Sequence, residues 1–341
     1  AMALACEPDL LIADEPTTAL DVTIQAQILK LLKKLQQDRN TTLLFITHDL
    51  SVVAQIADRV GVMQNGQLVE QGTKSKVLYE PQHAYTKELI DSLPQKLERL
   101  SSLAITEAEP LLSVEHLKVY FPIRKGLLQR HLDDVKAVDD VSLKIYPGRA
   151  MAVVGESGSG KTTLGRAILA LVKTTHGSVE YQGLDLTKMS REEIKPFRRD
   201  LQIVFQDPQS SLNPRLTIST ILTEPMKAHS IGSNSDERIE LAREAIKQVG
   251  LEPSMLSRFP HEFSGGQRQR IGIARALVLN PKFVVCDEVT SALDVRVQAQ
   301  VLKLLDELRN RLDLTYLFIS HNIEVVRYFC DDISVMHQGK I

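Results

Sequence analysis

The residues best suited to chemistry lie together in one stretch, Gly155-Glu156-Ser157-Gly158-Ser159-Gly160-Lys161-Thr162-Thr163. Glycine lets a backbone turn its N–H groups inward around an anion, because it reaches φ values that a β-carbon forbids. At this spacing Lys161 would reach the β- and γ-phosphates of a nucleotide, and the Thr162 hydroxyl would take a place on Mg²⁺. An apolar run, residues 151–154, precedes the loop, and LGRAILALV follows it with apolar residues at helical spacing. The stretch therefore reads as strand, glycine loop and helix, with the positive end of the helix behind the phosphates. A plain Gly/Ser turn would need neither the Lys-Thr pair nor that context.

Two further groups fit the same chemistry. Asp287 ends the apolar run KFVVCDE, which lacks polar alternation and so suits a parallel strand buried on both faces. A carboxylate there can hold Mg²⁺ largely through water. Glu288 beside it can orient and deprotonate an attacking water. The other group is Ser264-Gly265-Gly266-Gln267, two glycines and a hydroxyl at the start of a second helix. As an N-capped helix start it is unremarkable. As a second anion-binding device it suggests service to a nucleotide held by another domain.

The elements that must position these groups are partly duplicated. ADEPTTALDV at 13–22 returns as CDEVTSALDV at 286–295, and LFITHDL at 44–50 returns as LFISHNI at 317–323. Both pairs are 273 residues apart, which sets Asp14, Glu15, Asp21 and His48 against Asp287, Glu288, Asp294 and His321. A constant register over that distance implies duplicated domains. Residues 1–75 are expected to hold strands at 10–13 and 42–47, a helix at 22–37, a short helix, and two strands closing near Asn65-Gly66. No glycine loop precedes them, and the chain starts in what reads as mid-helix. The first copy is thus expected to be the back portion of a domain, and the chain to be cut at both ends. Residues 76–110 read as a tail and linker, with a short helix ended by Pro94. The second copy, 111–341, opens with an edge strand (LLSVEHLKVYF) and a strand closed by a Pro-Gly turn (VDDVSLKIYPG), and is mostly helical over 216–260.

Composition narrows the class. The chain has 341 residues, room for about two domains. A net charge of -2 argues against general nucleic-acid binding. No apolar run reaches the roughly 18 residues that span a bilayer. Cys6, Cys286 and Cys330 are far apart and form no C-x-x-C pair, which suits small core residues better than a disulfide framework or a zinc site.

Taken together, the motifs resemble the ATP-binding-cassette (ABC) family. GESGSGKTT is similar to its Walker A, FSGGQRQR to its signature, FVVCDE to its Walker B, and Ser291–Asp294 to its D-loop. His321 resembles the switch histidine, Gln206 the Q-loop glutamine, and Tyr120 the aromatic that stacks on adenine, with Phe121 as a neighbouring candidate. The implied fold is α/β, an ABC-type P-loop NTPase with a mixed sheet core and a helical subdomain at about 208–275, preceded by a partial second copy of the core. The implied activity is ATP hydrolysis with Mg²⁺. Glu288, His321 and Gln206 would be catalytic. ATP would meet Tyr120, Gly155–Thr163, Ser264–Gln267 and Asp294, and Mg²⁺ would meet Thr162, Gln206 and Asp287. The resemblance also implies two cassettes closing head to tail on ATP, with transmembrane permease subunits as partners and a solute-binding protein as an indirect one.

QDPQSSLNPR and HAYTKELIDSLP resemble the ATPases of peptide- and nickel-type importers, and two cassettes with FPIRKG resemble the fused microcin-C/oligopeptide form. Such a subunit works at the cytoplasmic face of the inner membrane. A soluble ATPase acting on ribosomes or DNA is the rival class, but the linker is not basic and neither zinc ligands nor a coiled coil is present. A regulatory cassette is the third reading, prompted by Val289, which stands where the first copy has Pro16 and where a fixed φ would steady the turn that aims Glu288. Ala84 likewise replaces the usual proline of the tail. The tail has no cysteine, so no iron–sulfur cluster is expected.

Overall fold

The computed structural model describes residues 3, 6–17, 22–39, 41–99, 109–125, 130–291 and 293–341, leaving aside the side chains of 22, 124, 125, 130–132, 208 and 209. Contacts divide the chain into two units, residues 1–97 with 294–299, and residues 98–293 with 300–341.

In the first unit, β1 (Leu10–Asp14) and β2 (Thr42–Ile46) pair in parallel, Leu10 against Thr42 and Asp14 against Ile46. The helix α1 (Val22–Arg39) lies between them in sequence. Next come α2 (Leu50–Ile56), capped by Asp49, and the antiparallel pair β3 (Arg59–Gln64) and β4 (Gln67–Thr73). Asn65 and Gly66 turn between those strands with φ of 49° and 78°, the left-handed pair that a tight hairpin requires. Helices α3 (Lys74–Tyr79) and α4 (Ala84–Asp91) follow. Ala84 is the first helical residue of α4, where proline is tolerated and no more needed than alanine.

The second unit holds two sheets. β5 (Leu112–Lys125), β6 (Arg130–Ile145), β8 (His176–Tyr181) and β9 (Leu184–Asp185) form an antiparallel sheet in the order β6-β5-β8-β9. The other sheet is parallel. It contains β7 (Ala150–Val154), β10 (Leu201–Val204), β11 (Phe283–Asp287), β12 (Thr315–Ser320) and β13 (Asp332–Val335) in the order β10-β11-β12-β7-β13. The helix α5 (Lys161–Ile168) contributes Leu164, Ala167 and Ile168 to a core shared with Leu112, Val119 and Val138 of the first sheet and Phe283, Val285, Leu317 and Ile319 of the second.

One expectation is corrected here. β5 is not an edge strand: it pairs with β6 on one side and β8 on the other. Alternation reports which face of a strand is buried, not whether both of its edges are used. The pair is also longer than expected, 14 and 16 residues.

Between β10 and β11 the chain is helical. α6 (Arg191–Ile194) precedes β10, and α7 (Pro208–Ser211), α8 (Ile218–Ala228), α9 (Ser235–Gln248) and α10 (Gly265–Leu277) follow it. They bury Ile218, Leu222, Met226, Ala242, Ile246, Val249 and Ile271. α11 (Val295–Leu312) and α12 (Ile323–Phe329) complete the chain's helices among the described residues. KFVVCDE behaves as expected of a two-sided strand, since all five residues of β11 are buried.

The repeated stretches also share local geometry. β1 matches β11 and α2 matches α12 at both ends at the 273-residue offset, as α1 matches α11. Glu15 and Glu288 share a left-handed backbone, φ 43° and 48°, as do Asn65 and Gln338 at 49° and 47°.

Candidate functional site

Strand, loop and helix are in place where the motif requires them: β7 ends at Val154 and α5 begins at Lys161, with Gly160 as its N-cap at φ 105°. A β-carbon at Gly160 would lie 1.9 Å from the Ala137 carbonyl oxygen, and one at Gly155 would lie 2.1 Å from that of Met336. These two glycines are thus forced by close backbone walls as well as by the turn. Lys161 is 5% exposed, and its ammonium donates to the Gly155 and Glu156 carbonyls at 2.9 and 2.7 Å. The lysine thus lies along the loop, its charge at the place where phosphates would sit.

Around the loop stand the ends of three neighbouring strands. The Thr162 hydroxyl donates to Asp287 Oδ1 at 2.9 Å. Asp287 is 3% exposed, and burial pushes its carboxyl up, with the Thr162 hydrogen bond opposing. A buried carboxylate of this kind gains from a cation beside it. Glu288 follows on its left-handed backbone, its carboxylate accepting from Gln206 Nε2 at 2.8 Å and standing 3.4 Å from His321 Nδ1. The His321 contact holds the Glu288 carboxyl below the usual range, against the opposing effect of burial. Glu288 is therefore ionised at neutral pH, the state in which it accepts a proton from water.

The turn at Val289 has supports of its own. The valine is 1% exposed, and the Ser291 N–H and hydroxyl both donate to the Glu288 carbonyl, at 3.2 and 3.0 Å. Burial and two hydrogen bonds support the turn here, where proline would act by its ring.

The predicted residues do not all converge. Gly155–Thr163, Gln206, Asp287, Glu288 and His321 share the one cluster just described. Ser264–Gln267 form a reciprocal capping box at the start of α10, Ser264 Oγ accepting from the Gln267 N–H and Gln267 Oε1 from the Ser264 N–H. α10 packs chiefly on α7, α8, α9 and β10, whereas α5 packs on β5, β6, β11 and β12. A β-carbon at Gly265 would meet no atom within 4 Å, so packing among the described residues does not explain that glycine. Asp294 is exposed and accepts from the Val297 N–H at 3.0 Å. Tyr120 is half-buried, its hydroxyl donating to Asp139, with the Lys136 ammonium 5.5 Å from its ring centroid. In the first unit His48 Nδ1 and Glu15 Oε1 meet at 2.9 Å, and Asp21 lies outside the described residues.

Sequence reasoning missed the walls of the loop. Met336 N–H donates to the Val154 carbonyl at 2.7 Å, and the Gly339 N–H donates to that of Ser159 at 3.0 Å. A signal existed, because Gln338-Gly339 sits 273 residues from Asn65-Gly66. No group of three or more His, Cys, Asp or Glu poised for a metal occurs among the described residues. The Thr162 hydroxyl and the Asp287 carboxylate, 2.9 Å apart, nevertheless fit Mg²⁺, which takes few carboxylates when phosphates and water supply the rest, while the Gln206 amide meets Glu288.

Residues 138–291 match the ABC transporter family model. The chain is 49% identical over 341 residues to the peptidoglycan transport ATP-binding protein YejF of Agrobacterium fabrum, covering 100% of this chain and 62% of that protein. It is 45% identical over 364 residues to the glutathione import ATP-binding protein GsiA of Escherichia coli, covering 100% and 58%. The chain thus spans 62% or less of the length of these relatives. Among solved structures it resembles the post-hydrolysis dimer of the ATP-binding cassette MJ0796 bound to ADP and Pi, with a TM-score of 0.59 and 29% identity over 67% of this chain and 96% of that one. It also resembles cbiO1 of Clostridium perfringens, part of the ABC transporter complex cbiONQ, at TM-score 0.59 and 28% identity over 68% and 87%. The family match covers the segment that holds Gly155–Thr163 and Asp287, on a fold shared with nearly all of a solved cassette, and this chain therefore carries an ATPase domain of the ABC transporter family.

Proposed function

We propose that the chain is part of the ATP-binding and ATP-hydrolysing subunit of an importer for peptides or related solutes, in its tandem-cassette form. The observation that carries this reading is the meeting of Lys161, Thr162, Asp287, Glu288, Gln206 and His321 at the ends of adjacent parallel strands. Lys161 neutralises the β- and γ-phosphates of ATP. Thr162, Asp287 and Gln206 would hold Mg²⁺, which when bound would supply further positive charge to the phosphates. Glu288 takes a proton from the attacking water, and Gln206 and His321 keep its carboxylate aimed. Tyr120 offers its ring to adenine.

Ser264–Gln267 and Asp294 face a nucleotide held by a second cassette, which is consistent with a Gly265 that no contact among the described residues requires. The first unit repeats the back of such a cassette, with Glu15 and His48 paired as Glu288 and His321 are. Permease subunits are the direct partners, a solute-binding protein is an indirect one, and nucleic acid is none. The subunit works at the cytoplasmic face of the inner membrane, and no helix among the described residues is long and apolar enough to cross it. The relatives named for peptidoglycan transport and glutathione import favour a peptide-class solute.

The test is Mg²⁺-dependent ATP turnover by the chain together with recovery of its membrane partners. Turnover that vanishes in Lys161→Ala, and co-purification with permease subunits, support the reading. Co-purification with ribosomes or DNA instead would overturn it.

A further inference from the structure

Tyr120 and the phosphate loop stand on separate segments, and one residue is tied to both. Asp139, on β6, accepts the Tyr120 hydroxyl at its carboxylate. Its own backbone N–H donates to the Gly339 carbonyl at 2.7 Å, and the Gly339 N–H donates in turn to the carbonyl of Ser159, inside the loop, at 3.0 Å. The Tyr120 backbone is held as well, its N–H donating to Thr175 Oγ1 at 2.9 Å. Neighbouring Asp140 turns elsewhere, to His116 at 3.0 Å. The Asp139 side chain is 18% exposed, and the Lys340 ammonium stands 3.8 Å from its carboxylate.

We propose that Asp139 is a positioning residue: its carboxylate holds the Tyr120 ring and its backbone ties that ring to the phosphate loop, setting the spacing between a platform for the base and a cradle for the phosphates. The proposal rests on the reading of Tyr120 as an adenine contact. A nucleoside triphosphate gains from both ends at once only when the two subsites already stand at its own span, because any adjustment is charged against binding. A phenol fixed only by its χ angles hops between rotamers, whereas one whose hydroxyl donates to a carboxylate does not.

The electrostatics agree with these roles. The hydrogen bond to Asp139, with burial and the nearby carboxylates of Asp139, Asp140 and Asp134, pushes the Tyr120 phenol up to about 12, so it remains a donor at neutral pH. Asp139 is held below its ordinary range, first by the Tyr120 hydroxyl and then by Lys136, Lys340 and Lys118, so it remains the charged acceptor.

The test is calorimetric titration of the 341-residue chain with the non-hydrolysable ATP analogue AMP-PNP and Mg²⁺, and separately with inorganic tripolyphosphate, which needs the loop alone. Tyr120→Ala should weaken the analogue about tenfold, the weight of one base–aromatic stack. Asp139→Ala and Tyr120→Phe should each weaken it about fivefold, and together no further, because they cut the same bond. Tripolyphosphate affinity should not change, and Asp139→Asn, which keeps an acceptor oxygen, should recover most of the loss.

If Tyr120→Ala weakens the analogue while Asp139→Ala and Tyr120→Phe do not, the adenine reading stands and the positioning role falls. If Tyr120→Ala changes nothing, the adenine reading itself has failed. Equal losses for the analogue and for tripolyphosphate in Asp139→Ala would make Asp139 a builder of the loop and overturn its role as a spacer.

Discussion

Leu10, Ile12, Leu44 and Ile46 in the first unit occupy the positions of Phe283, Val285, Leu317 and Ile319 in the second, on strands that pair in the same parallel way. The first four are 49%, 58%, 49% and 46% exposed, and their counterparts 0%, 0%, 0% and 1%. What differs is the cover. In the second unit α5 lays Leu164, Ala167 and Ile168 over those strands, and no counterpart of β7 or α5 occurs among the described residues of the first. Full burial of a large apolar side chain is worth about 1.5–3 kcal/mol, and these four differ by about half of that, so together they separate the units by roughly 3–6 kcal/mol, a sizeable part of a domain's stability. Local structure is nevertheless shared. Strand ends, helix caps and the left-handed Glu15 and Glu288 persist with and without that cover. The backbone at the proposed catalytic glutamate is therefore set by its own turn, and not by the phosphate loop.

The comparison breaks first at the buried strand. Val285→Lys places an unpaired charge in the core of the second unit and should abolish cooperative unfolding of the chain, as read by circular dichroism. Ile12→Lys at the matching position should change stability by no more than about 0.5 kcal/mol and should reduce self-association seen by light scattering, because it breaks an exposed apolar patch. Severe unfolding in Ile12→Lys would mean that the first unit buries this face in solution.

Catalysis should divide the units next. Glu288→Gln is expected to slow ATP turnover by about 10²-fold or more while leaving nucleotide binding intact. Glu15→Gln should leave turnover unchanged, and a loss there would show that the first unit shares the chemistry. Limited proteolysis should sharpen the same contrast at an intermediate scale, with cuts in the first 97 residues preceding any in the second unit, as mass spectrometry of the fragments would report. The smallest effect belongs to Val289→Pro, which copies Pro16 into the second unit. Because burial and Ser291 already hold the turn, turnover should move by less than about twofold. A clear loss would mark the valine as an adaptation.

How much of this was legible in the sequence depended on what carries each contact. The glycine loop, Asp287 and Glu288 declare themselves because their chemistry needs particular side chains at fixed spacing. The duplication declares itself through identity at a constant offset. The loop's second wall did not, because Met336 and Ala137 act through carbonyl oxygens that any residue has. Asp139 lay hidden among acidic neighbours on a strand, where its partner Tyr120, 19 positions earlier, is brought near only by the pairing of β5 with β6. The inner place of β5 was missed for a similar reason, since its second partner, β8, arrives only after the phosphate-loop helix has intervened.

The walls at Gly155 and Gly160 carry a consequence for the order in which the molecule is made. One wall, Ala137, leaves the ribosome before the loop, but the other, Met336, follows Gly160 by 176 residues (336 − 160). β7 itself gains its neighbours β12 and β13 only when residues 315–335 exist. Contacts of such long separation form late, because loop-closure entropy is met before they repay it. The phosphate cradle is therefore a late product of synthesis. Nascent chains halted before residue 336 should carry every side chain of the glycine loop and yet not retain a nucleotide, which makes ATP a reporter of a finished domain.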